Sequence, residues 1–143
     1  MSDAASDMPA RDTRRGEPWL RFLLALITAM AGVGHFVNAA GFVRIMPKLL
    51  PRAWDYPLVY FTGVCELAAT AGLLIPPLRL RRITGWALVA FFIAVFPANI
   101  QAALDPSRMD APAWATLARL PFQILLIAWA YRYTRSLTGA ERT

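Results

Sequence analysis

The chain is short of the residues that most often carry chemistry. Its 143 residues include one cysteine, one histidine and nine carboxylates. With Cys65 alone, neither an intramolecular disulfide nor a dithiol relay within one chain can form. With His35 alone, a bis-histidine haem is excluded. A zinc site would have to draw on His35, Cys65 and Glu66, which follow no ligand-motif spacing, so no metal site is expected. A Gly-rich phosphate loop and a Ser–His–Asp set are also missing. So are runs of alternating polarity, internal repeats and low-complexity segments. The absence of alternation excludes a membrane β-barrel.

What is present is apolar and continuous. The composition is 57% hydrophobic, high for a soluble domain of this length. Four runs stand out: Trp19–Ala40, Pro57–Leu74, Ile83–Leu104 and Pro112–Tyr133. Each is close to the ~20 residues a helix needs to cross hydrocarbon. In lipid, every backbone polar group must be satisfied within the structure, which favours helices here. The expected fold class is therefore all-α, an integral membrane four-helix bundle with a short interfacial segment after the first helix. The expected division is a disordered cytoplasmic tail over residues 1–16, a four-helix transmembrane domain over 17–134 and a cytoplasmic tail over 135–143. The first run is longer than the usual 7–15-residue core of a signal peptide, so it reads as a retained span.

The net charge of +6 is distributed as a topology signal. Arg11, Arg14, Arg15, Arg21, Arg79, Arg81, Arg82, Arg132, Arg135 and Arg142 fall on one side of the spans. Arg44, Lys48, Arg52, Arg108 and Arg119 fall on the other. Ten against five places both termini in the cytoplasm of the cell membrane by the positive-inside rule. This placement does not suit a nucleic-acid surface. Trp19, Trp54, Trp114 and Trp129 suit interface anchors.

Between the spans, Phe42, Val43, Met46, Leu49 and Leu50 follow helical spacing, with Arg44 and Lys48 on another face. That pattern predicts a short interfacial helix within Phe42–Trp54, bent or broken by Pro47 and Pro51. Leu78–Arg82 reads as a tight basic turn, and Ser107–Ala111 as a short outer loop.

Inside the spans lie His35, Glu66, Asn99, Arg119 and Gln123. An ionised side chain at the bilayer centre costs at least ~2.5–3.5 kcal/mol on insertion scales, so such groups face a bundle interior or a wet cavity. At about 1.5 Å per residue, His35 lies roughly 25 Å above Pro18, and Glu66 roughly 13 Å below the outer surface. Asn99 rises to the height of His35, and Arg119 and Gln123 descend the outer half of the fourth span. The five are expected to form a ligand-binding polar shaft open to the outside. Thr62, Glu66 and Thr70 share one helix face, as do Arg119 and Gln123. Gly32, Gly34 and Gly63 would let neighbouring helices approach closely. Pro97 and Pro121 would free the carbonyls of Ile93 and Leu117, which then need partners.

Plainer readings stay open beside this one. His35 and Asn99 can reach headgroup water, Arg119 can snorkel outward, and Glu66 can pair with Arg119 for structure alone. Two titratable groups, Glu66 and His35, are thin evidence for acid–base catalysis, so no catalytic residue is assigned and an enzymatic role is left open.

The short motifs resemble those of the DoxX-like family of small membrane proteins. They are Gly34-His35-Phe36, Pro47 to Leu50-Pro51, Gly63-Val64-Cys65-Glu66-Leu67, Pro97-Ala98-Asn99 and Arg119-Leu120-Pro121-Phe122-Gln123. The resemblance covers Trp19–Thr134 and implies a four-helix membrane protein. It also implies a place among accessory subunits of quinone-linked or thiol-linked membrane redox systems, or among helpers of membrane-receptor assembly. The single cysteine departs from a thiol-redox role. The reading that follows is a protein holding a small amphiphile, quinone-like or lipid, with quinone the one cofactor considered. The alternative is a membrane-protein assembly factor in which the polar cluster only specifies packing. The partners these readings admit are the lipid bilayer, a membrane redox partner or client protein, and a second copy of the chain.

Overall fold

The computed structural model describes residues 18–75, 78–108 and 112–135. Its helices are α1 (Pro18–Val37), α2 (Ala39–Arg44), α3 (Asp55–Leu74), α4 (Leu78–Leu104) and α5 (Ala113–Arg135). Single 3-10 turns occupy Arg52–Trp54 and Pro106–Arg108. No strand occurs among the described residues. Four segments, built on α1, α3, α4 and α5, are long and apolar enough to cross a membrane.

Local chemistry accounts for most boundaries. Pro18 opens α1 where a missing N–H costs nothing, and Pro57 falls in the first turn of α3, where the N–H would lack an intrahelical partner anyway. Asn38 separates α1 from α2, its side-chain oxygen accepting from the Gly41 N–H at 3.3 Å. The helix α2 ends before Pro47, since the residue preceding a proline is driven from the helical region. The helix expected within Phe42–Trp54 is therefore shorter and begins earlier, and only a 3-10 turn follows Pro51.

Two further expectations need correction. Leu78–Arg82 is not a turn but the start of α4, since arginine and leucine are good helix formers and charge does not end a helix. The run Pro112–Tyr133 forms a helix that starts one residue later and extends to Arg135. The remaining tail residues, the 1–16 tail and positions 109–111 of the expected outer loop lie outside the described residues. Pro97 and Pro121 both sit inside continuous helices.

Helix α1 packs along α3 and α4 along α5, and the two pairs meet mainly through α3 and α4. Glycine sets the first crossing. A Cβ on Gly32 would lie 3.1 Å from the Gly63 carbonyl oxygen, and one on Gly63 only 2.9 Å from the His35 Cβ. Gly34, by contrast, has ordinary room against Phe42. The Thr28 and Thr70 hydroxyls hydrogen-bond at 2.8 Å across the same pair. An interhelical bond of this kind contributes about 0.6 kcal/mol in a membrane protein. In α4 and α5, Gly85 lies against the Thr134 backbone.

The core is concentrated at one end. Leu24 and Ala25 of α1, Leu73 of α3, Leu88 and Phe92 of α4, and Leu126 and Ala130 of α5 form one buried cluster. Trp129 packs against this cluster rather than standing free as an anchor, whereas Trp19, Trp54 and Trp114 are exposed. Polar Thr28, Glu66, Thr84, Thr116, Gln123 and Thr134 are buried, while Met30 is 68% and Ile83 65% exposed. Large apolar side chains thus cover the outside of every long helix. Soluble proteins rarely expose apolar surface on that scale.

Candidate functional site

Next to the core cluster, whose Phe92 and Leu126 form part of its wall, the two helix pairs enclose a cavity of about 670 Å³. His35, Glu66, Asn99, Arg119 and Gln123 all line it. Four helices therefore each contribute at least one of these side chains, against walls made mostly of phenylalanine, leucine, isoleucine and valine.

The α1–α3 wall carries the acid and the imidazole. The glycine crossing brings α1 and α3 together one turn from these residues, so His35 Nδ1 reaches to 3.0 Å from Glu66 Oε2. The same nitrogen lies 2.8 Å from the Ala31 carbonyl oxygen. A single N–H facing two acceptors cannot be well aligned to both. The Glu66 Oε2 is accordingly buried without a hydrogen bond of good geometry. The ring of His35 stacks on Phe42 of α2, with centroids 3.9 Å apart.

The α4–α5 wall carries the amides and the guanidinium. Asn99 Nδ2 donates to Gln123 Oε1 at 3.1 Å, and Gln123 Nε2 donates to the Phe92 carbonyl at 2.8 Å. This chain ties α5 to α4. The carbonyl it satisfies is one residue before the Ile93 carbonyl that Pro97 was expected to free. Arg119, one turn from Gln123, is half-buried on the cavity wall. Among the described residues no carboxylate lies within ion-pair distance of it. The Glu66–Arg119 pair considered from sequence is therefore replaced by a Glu66–His35 pair.

Several lining residues went unread in the sequence. Thr28 reaches the cavity from α1, and Thr62, read from sequence only as sharing a helix face with Glu66, reaches it from α3. Phe42, Ile45, Met46, Pro47 and Leu50 also line it, so the expected interfacial segment turns an apolar side over the cavity. Its helical spacing was visible, but spacing does not say whether an apolar face meets lipid or a cavity. Leu49, on the same periodic face, is 96% exposed.

No curated protein and no solved structure matches the chain. Residues 24–134, which take in most of α1, all of α3 and α4, nearly all of α5 and the whole cavity lining, match one family. By that match the chain belongs to the family described as Domain of unknown function (DUF8561).

Proposed function

We propose that this chain is an integral membrane protein, a four-helix bundle whose cavity binds a small amphiphile, quinone-like or lipid, as an accessory subunit of a membrane redox system. One observation carries this reading: five polar side chains from four helices converge on a single, largely apolar cavity. Ligand sites combine apolar walls with a few placed polar groups, and about 670 Å³ falls within their usual size of roughly 300–1,000 Å³. The apolar exterior supports insertion in a bilayer, which is also the first partner. The arginine asymmetry supports cytoplasmic termini, with the cavity toward the outer face. The DoxX-like resemblance supports the accessory role. Asn99 and Arg119 are placed to donate to a carbonyl-bearing headgroup, and His35 or Glu66 to exchange a proton with it.

A second reading has its own support. The Asn99–Gln123–Phe92 chain and the Thr28–Thr70 bond each hold a helix pair together. Polar groups that only specify packing suit an assembly factor with a protein client. Native mass spectrometry of protein extracted in mild detergent separates the two. A stoichiometric quinone or lipid is the expected result, and a co-purifying protein with an empty cavity would favour the assembly factor.

A further inference from the structure

The polar groups of the cavity differ in what they leave unmet. The two amides satisfy one another and a backbone carbonyl. Glu66 has His35 beside it at 3.0 Å. Arg119 alone is a permanent cation on the cavity wall without a carboxylate within reach among the described residues. A guanidinium does not lose its proton in a protein, so burial cannot neutralise it as it can a lysine or a histidine. Half-buried on an apolar wall, that charge favours an anionic partner, and its planar fork matches two oxygens of a carboxylate or phosphate.

We infer that the amphiphile bound in this cavity carries an anionic headgroup, a carboxylate or a phosphate, held by Arg119. Its hydrocarbon lies along Phe91, Phe92, Phe122 and Leu126, which line the same cavity from α4 and α5. The Asn99 amide, with one N–H committed to Gln123, has a second N–H to offer the headgroup. A neutral quinone would satisfy the amide but leave Arg119 unpaired. The inference rests on the amphiphile-binding reading and selects among its occupants.

The test uses the full-length protein in neutral detergent, with matched pairs of probes. Oleate is compared with methyl oleate for the carboxylate, and lysophosphatidate with the corresponding monoacylglycerol for the phosphate. Decylubiquinone serves as the neutral ring. The charged member of at least one pair should bind roughly tenfold to a hundredfold more tightly than its neutral partner. The pair that shows the preference identifies the headgroup. Arg119→Gln should abolish the preference, and Arg119→Lys should retain most of it, with helix content by circular dichroism reporting that each variant is folded. If Arg119→Gln does not fold, the matched probes on the unsubstituted protein still decide, since they need no variant to show whether the charged member is preferred. Equal binding of charged and neutral members, or preference for decylubiquinone, would overturn the anionic headgroup while leaving amphiphile binding intact. Binding of none of the probes would overturn both.

Discussion

His35 is held by three contacts of different kinds: the Ala31 carbonyl, the Glu66 carboxylate and the Phe42 ring. The first is set by its own helix, the second by the α1–α3 crossing, and the third by the break at Asn38. Both members of the His35–Glu66 pair are nearly buried, with side chains 12% and 9% exposed. Breaking such a pair by removing one partner costs about 3–5 kcal/mol, because a charge is left uncompensated. His35→Ala is therefore expected to destabilise the protein by an amount of that order. Adding Glu66→Gln should recover a substantial part, as the stranded charge is then gone. Glu66→Gln and Arg119→Gln should combine additively, since the two groups are not paired. Melting temperatures of the single and double variants in detergent check both statements. Additivity for His35 with Glu66, or coupling for Glu66 with Arg119, would reverse the assignment.

At the scale of the helix, the Gly32–Gly63 contact decides which polar residues meet. A methyl on Gly63 would press on the His35 Cβ, the Phe36 ring and the Gly32 carbonyl at about 3 Å or less. Two of those are close to backbone and cannot swing away. Gly63→Ala should separate α1 from α3, lower the melting temperature by several degrees and weaken any cavity ligand. Gly34→Ala should do neither, because the nearest atoms there lie at ordinary contact distance. Equal effects at both positions would show that helix propensity, not the crossing, controls stability. The same contact explains what was and was not legible in the sequence. His35, Glu66, Asn99, Arg119 and Gln123 could be picked out because an apolar helix offers a polar side chain few places to go. Their pairing could not, since it depends on how each helix is rotated about its axis. Crossing geometry fixes that rotation, and the sequence marks it only as scattered glycines. The start of α4 was misread for a different reason. Arg79, Arg81 and Arg82 mark where apolar surface ends, which is not where a helix ends.

At the scale of the molecule, the exposed apolar surface and the arginine bias make a joint prediction. The Pro106–Arg108 turn joins α4 toward α5 at the cavity end. In a Cys65→Ser background, a cysteine placed at Ser107 should react with an impermeant maleimide in intact cells. One placed at Ser136 should react only after the membrane is permeabilised. The opposite pattern would put the cavity on the cytoplasmic side and change which pool of amphiphiles can reach it.

One tight contact between the two helix pairs lies outside the cavity lining. At Gly72, on α3, there is no room for a methyl against the Thr84 side chain of α4. This point lies beside Leu73 of the packed cluster and would serve as a fulcrum were the pairs to tilt. From Gly72 to Val59, at the cavity end of α3, is about 20 Å of helix. A relative tilt of about 5° at the fulcrum therefore moves the far end by roughly 2 Å, a good part of a methylene's width. Any such tilt would act as in tweezers, where a small spread at the gripped end opens the tips. Bulk added at position 72 or 84 should change what the cavity accepts without touching any residue that lines it.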